Sequence, residues 1–116
     1  MLFQSKSKKI RKYIDDKRDK GTLTPFDELL SDYLSGELKN KITALEIKKV
    51  EIHIDWLEDY QCIGIQGIHN HNFLDLQIEQ MEFSIGYDPD EPDEHNHYPL
   101  ESREQLYAIF NHILGA

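Results

Sequence analysis

From Lys48 onward the hydrophobic period of this chain changes from helical to two, and that switch restricts its fold more than any other feature. Val50, Ile52, Ile54 and Trp56 alternate with Glu51, His53 and Asp55, the pattern of a strand with one buried and one wetted face. Glu58 and Asp59 then fit a short hairpin loop. The run from Tyr60 to Ile68 is a second strand, whose Gly64 and Gly67 point to a bulge or to close approach of other atoms. His69, Asn70, His71 and Asn72 are expected to form the next turn. Alternation resumes with Leu74, Leu76 and Ile78 against Asp75, Gln77 and Glu79, and again with Met81, Phe83, Ile85 and Tyr87 against Glu82, Ser84 and Gly86. Four short strands joined by short loops are predicted to pair in order as an antiparallel meander.

Helical periodicity flanks this region on both sides. Ile10, Tyr13 and Ile14 form a narrow apolar stripe among charges, closed by Gly21. Thr24, followed by Pro25 and by Asp27 three residues on, has the chemistry of a capped helix start. Phe26, Leu29, Leu30, Tyr33 and Leu34 then build a full core-facing stripe, Gly36 interrupts it, and Leu38, Ile42 and Leu45 suggest a short third helix. After residues 88–99, an acidic stretch with three prolines that reads as a surface loop, Ser102 and Gln105 mark a final helix. Its stripe is Leu106, Ile109, Phe110, Ile113 and Leu114, and Gly115 ends it. The amphipathic helices need an apolar surface, and the meander offers one on a single face. The expected fold is therefore α+β: a four-stranded antiparallel meander with N-terminal helices and a C-terminal helix packed on one face. A chain of 116 residues accommodates this as one domain, 1–116.

Charge is sorted along the chain. Residues 1–20, a basic N-terminal helix or arm, hold eight of the 13 Lys and Arg and three of the 22 acids, a net +5 that leaves −14 on the remainder. An acidic body of this kind repels nucleic acid within a Debye length of about 8 Å at physiological salt, so a nucleic-acid partner is not expected. No apolar run approaches the roughly 20 residues of a membrane span, and the first residues lack the apolar stretch of a secretory signal. Cytoplasmic residence is the expectation, and the single cysteine, Cys62, agrees with it. Cys62 reads as a small buried hydrophobe.

Three constellations bear on chemistry. His-Asn-His occurs twice, so His69, His71, His95 and His97 are candidate ligands for zinc or another transition metal if the two pairs meet. Asp88, Asp90, Glu91, Asp93 and Glu94 are dense enough to suggest calcium, but the EF-hand spacing fails and Pro89 and Pro92 stiffen the segment. His53 with Glu51, Asp55, Asp75 and Glu79 on one strand face is the arrangement a small hydrolase would need. Nothing resembles a phosphate loop, a nucleophile elbow or a dinucleotide fingerprint, and no cofactor is expected.

The remaining positive feature is a strong negative field on a small scaffold, which steers and holds a basic protein partner. The expected function is that of a non-enzymatic acidic binding module, monomeric or homodimeric. A metal-binding protein and a small hydrolase are the alternatives. Glu51, Asp55, Asp75 and Glu79 on the sheet, with the loop acids Asp88, Asp90, Glu91, Asp93 and Glu94, are the candidate contacts. Tyr87 and Tyr98 are candidate aromatic anchors at the loop's edges. Immunity proteins and antitoxins are similar in size, charge and lack of catalytic residues, a likeness of type that carries over no residue.

Overall fold

The computed structural model describes residues 6–86 and 96–114. Three helices come first, α1 (Lys6–Lys20), α2 (Pro25–Ser35) and α3 (Glu37–Thr43). Five strands follow, β1 (Lys48–Trp56), β2 (Gln61–His69), β3 (Asn72–Ile78), β4 (Glu82–Gly86) and β5 (Asn96–Pro99), and α4 (Arg103–Leu114) closes the order. The strands form one sheet in the order β1-β2-β3-β4-β5, every neighbouring pair antiparallel.

Local chemistry sets the helix ends. Thr24 Oγ1 accepts from Asp27 N at 3.2 Å while Asp27 Oδ2 accepts from Thr24 N at 3.0 Å, a reciprocal capping box with Pro25 in the first turn. Gly36 ends α2 at φ +87°, a left-handed conformation that glycine adopts without steric penalty, and α3 starts directly from it. At α4, Ser102 Oγ accepts from Gln105 N at 3.0 Å. The Gln105 side chain completes no reciprocal box, binding the Glu101 N–H at 3.2 Å and the Pro99 carbonyl at 2.9 Å instead.

All four helices lie on one face of the sheet. Ile10 and Ile14 of α1, Phe26, Leu29 and Leu30 of α2, Leu38 and Ile42 of α3, and Leu106 and Phe110 of α4 are buried in one cluster. From the sheet they meet Ile54, Ile63, Ile65, Leu74, Leu76, Ile78, Phe83 and Ile85. Each such side chain taken from water contributes roughly 1.5–3 kcal/mol, which is why the alternation is held in register. The helix layer is also tied within itself. Asp32 of α2 accepts from Arg103 Nη1 at 3.0 Å and from the Tyr107 hydroxyl at 2.8 Å, joining α2 to α4. Tyr13 meets Trp56 edge-on, with 5.0 Å between ring centroids, and docks α1 over β1.

The β2–β3 connection is a two-residue turn in which Asn70 and His71 both have positive φ, +50° and +68°, the geometry that matches strand twist in tight hairpins. The β1–β2 pairing shifts register between Lys48 and Glu51, with Lys49 at φ +53°, so the bulge lies in β1 and not at the glycines of β2. Those glycines instead permit close approach. A Cβ on Gly67 would stand 2.5 Å from Ile47 Cγ2, and one on Gly64 would stand 2.5 Å from His53 Nε2.

Three corrections to the expected fold follow. The sheet has five strands, because Asn96–Pro99 pairs with β4 rather than remaining loop. The reason is Tyr98, which stacks on buried Phe83 at 5.3 Å between ring centroids and gives the segment an apolar side. Met81 does not begin an inward alternation: it is 82% exposed in the turn that the Glu79 N to Glu82 carbonyl hydrogen bond closes. His69 belongs to the end of β2 and is buried, not part of the turn. Tyr87, the acidic part of the loop from Asp88 to Glu94, His95 and the terminator Gly115 lie outside the described residues, as do the side chains of Ile113 and Leu114.

Candidate functional site

The opposite face of the sheet carries no helix among the described residues, and strand register fixes what it displays. Glu51 pairs with Gln66, and Gln66 with Asp75, so these three share one row across β1, β2 and β3. His53, Gly64, Gln77, Ser84 and His97 make the next row, across all five strands. Asp55 pairs with Cys62, and Glu79 follows Ile78, the partner of Ile63, so both carboxylates flank Cys62. Glu82 begins β4 at the same end. Glu51, Asp55, Asp75 and Glu79 therefore stand on one side of one sheet.

The strand between the acids explains how the sheet tolerates them. β2 has the sequence Gln-Cys-Ile-Gly-Ile-Gln-Gly-Ile-His, with no carboxylate. It holds the carboxylates of β1 two strand spacings from those of β3, about 10 Å, roughly a Debye length at physiological salt. Its polar side chains also knit the face together. Cys62 Sγ donates to Gln77 Oε1 at 3.2 Å, and Asp75 Oδ1 accepts from Gln77 Nε2 at 3.0 Å and from Gln66 Nε2 at 3.5 Å.

Cys62 is buried, but beneath this polar face rather than in the apolar core. Burial pushes its thiol above the ordinary value; the Tyr60 hydroxyl opposes the rise, and Glu79 and Asp55 add to it. A thiol held in its neutral form is a poor nucleophile. Tyr60 is likewise made less acidic, first by its hydrogen bond with Cys62, then by burial and by Glu79, whose Oε1 accepts its hydroxyl proton at 3.0 Å.

Of the four candidate metal ligands His95 lies outside the described residues, and the other three stand apart. His69 is buried on the helix side at the end of β2, His71 is exposed in the turn, and His97 lies three strands from β2 in the row of Gly64. The five residues from Gly64 to His69 alone span about 16 Å along a strand. Among the described residues no three His, Cys, Asp or Glu side chains converge on a point where an ion could sit. His53, the candidate for acid and base work, extends its imidazole over the bare backbone of Gly64. Of the two candidate aromatic anchors, Tyr98 stands on the helix side against Phe83, and Tyr87 is among the residues not described.

Exposed apolar groups at one end of the sheet escaped the sequence analysis. In an antiparallel meander the first and third turns share an end, so the β1–β2 turn and the β3–β4 turn are neighbours. They expose Leu57 and Tyr60 from one tip and Met81 from the other. The alternation of Asp55 and Leu57 contained half of this signal; that the turn bearing Met81 lies at the same end of the sheet is a property of topology. Among the described residues no helix is long and apolar enough to cross a membrane. Comparison of the chain with protein-family models, with curated proteins and with solved structures gives no match.

Proposed function

We propose that this protein is a non-enzymatic docking module whose open sheet face binds a basic protein, in the manner of a toxin-neutralising immunity or antitoxin-type protein. The observation that carries the reading is the register of β1 to β4, which gathers Glu51, Asp55, Asp75, Glu79 and Glu82 on the side away from the helices. A field of one sign on a rigid surface accelerates encounter with a partner of the other sign and selects against wrong ones. The shape of the face favours a macromolecular ligand over a small substrate, since small-molecule sites are concave and largely enclose what they bind. The depressions lined by Arg11, Arg18 and Ser31, and by Glu46, Asn70 and His71, lie away from the five carboxylates.

The test is affinity capture from the native host with the wild-type chain and with a Glu51→Gln, Asp75→Asn, Glu82→Gln variant side by side, each washed at low and high salt. A basic protein retained by the wild type, absent from the variant and eluted by salt is the expected result. Equal retention by both chains would refute the reading.

A further inference from the structure

The sheet ends in two unequal edges. β5 is four residues long and closes on Pro99, which has no N–H to offer. β1 is nine residues long, and among the described residues no strand lies beyond it. Leu57 N donates to the Tyr60 carbonyl at 2.9 Å, and the pairs Asp55 with Cys62, His53 with Gly64 and Glu51 with Gln66 follow in step. In an antiparallel ladder every second residue is bonded to the partner strand, so Ile52, Ile54 and Trp56 turn their N–H and C=O groups to the free edge. The hydrogen bond from Lys6 Nζ to the Ile54 carbonyl, at 2.6 Å, marks the same direction.

The side chains along this edge are incompletely covered as well. Ile63 and Ile65 of β2 are wholly buried, whereas Ile52, the partner of Ile65, is only half-buried on the helix side, as are Val50 and Trp56. Open backbone groups beside half-covered apolar side chains make a surface to which a further strand adds. Charge and register select that strand. The chain carries −9, which opposes self-association, but the two lysines and two carboxylates of β1 cancel. A second β1 laid antiparallel about a two-fold axis has few registers open to it. An axis at His53 sets Glu51 against Asp55, like charges that repel. An axis at Ile52 runs the pairing into the bulge between Lys48 and Glu51. An axis at Ile54 uses only regular strand, and it sets His53 against Asp55 and Ile52 against Trp56.

We infer that β1 is a dimerisation edge, at which two copies of this chain join β1 to β1 antiparallel about an axis at Ile54 and make one continuous sheet. Backbone hydrogen bonds then run between the two Ile54 residues and, in both directions, between Ile52 of one copy and Trp56 of the other. The Ile54 carbonyl has two lone pairs, so Lys6 Nζ and the incoming N–H can both be accepted. On the helix side Ile52 packs against Trp56 of the second copy, completing the burial that β1 lacks. On the open side each His53 imidazole meets the Asp55 carboxylate across the axis. The inference is independent of the proposed binding of a basic protein; it sets two acidic faces side by side on one sheet.

The experiment is sedimentation equilibrium of the full chain over a range of concentrations, with circular dichroism and melting temperature to establish that each variant is folded. The wild type is expected to show a concentration-dependent dimer. Ile52→Pro removes an N–H that faces away from β2 and should weaken the dimer about tenfold or more. His53→Asp sets two carboxylates against each other on both sides of the axis and should weaken it by a similar factor. The exchanged variant, His53→Asp with Asp55→His, restores opposite partners and should recover dimerisation close to that of the wild type, a rescue that general destabilisation would not give. Phe73→Ser, exposed at the far end of the sheet, should change nothing. A wild type that stays monomeric at the highest concentration would overturn the second copy as occupant of the edge. A dimer equally tight in folded Ile52→Pro would overturn the edge as interface. Where Ile52→Pro does not fold, the His53 variants decide: an unchanged dimer in His53→Asp, or a loss that the exchange does not recover, would overturn the pairing about Ile54.

Discussion

The two faces of the same sheet are built on opposite terms. On the helix side Ile54, Ile63, Leu76 and Phe83 are almost wholly buried against α1, α2, α3 and α4, and their shape is fixed by packing. On the open side Gln77 and Gln66 reach Asp75 through side-chain hydrogen bonds of 3.0 and 3.5 Å, and Glu51 stands exposed opposite Gln66. Interior packing responds to a single methylene, whereas exposed polar groups exchange partners with water at little net cost. The lesson is a division within each strand: alternate positions of one segment serve the packed core and the open polar face separately. Substitution on one face should leave the property of the other nearly untouched.

Adjacent residues of β3 test that division most sharply. Leu76→Ala removes a fully buried side chain and should destabilise by about 3 kcal/mol, while Gln77→Ala beside it should stay within roughly 1 kcal/mol, both read by chemical denaturation. Comparable losses would mean that the open face contributes to the fold as the core does. The two glycines of β2 repeat the contrast at smaller scale. Gly67→Ala drives a methyl into Ile47 Cγ2 and toward the Lys48 carbonyl at 3.1 Å, and should destabilise by roughly 1–3 kcal/mol. Gly64→Ala meets only the end of the exposed His53 side chain, which can swing into solvent, and its loss should be clearly smaller.

The ties within the helix layer are worth less than its packing. Tyr107→Phe deletes the 2.8 Å hydrogen bond to Asp32 and should destabilise by about 1 kcal/mol in the same denaturation assay. Alkaline pH probes Tyr13, whose acidity is weakened from 10.0 to about 12, chiefly by burial and then by the Asp27 carboxylate. A folded-state value raised above the unfolded one gives stability that is complete below pH 10 and is lost as pH climbs toward 12. Tyr13→Phe should therefore flatten the fall in melting temperature over that window, and an unchanged fall would exclude Tyr13 as its source. Smallest of all, Glu51→Gln with Asp75→Asn should change stability by no more than about 0.5 kcal/mol.

The same division explains what could be read in advance. A buried face imposes a strict period on every strand, so Val50 to Trp56 and Leu74 to Ile78 declared both their conformation and the side on which Glu51, Asp55, Asp75 and Glu79 would stand. Helix ends were legible for a local reason, since Thr24, Asp27 and Gly36 act within one turn of the chain. What escaped depended on contacts distant in sequence. β5 has a single apolar residue, Tyr98, and becomes a strand only because Phe83 lies opposite. Met81 continued an apparent alternation one residue past the point where the Glu79 to Glu82 hydrogen bond turns the chain. Cys62 has the composition of a core residue, yet its parity places it under the carboxylates of the other face. That the turn bearing Leu57 and Tyr60 and the turn bearing Met81 share one end of the sheet follows from strand order and from nothing within either hairpin.

Carboxylate footprinting tests the central claim most directly: carbodiimide labelling of the free protein and of its complex with the partner captured from the native host, read by mass spectrometry. The account predicts that Glu51, Asp55, Glu79 and Glu82 lose reactivity in the complex while Asp15, Asp19 and Glu37 on the helices keep theirs. Protection confined to the helical acids, with the four sheet carboxylates labelled as in the free chain, would contradict it.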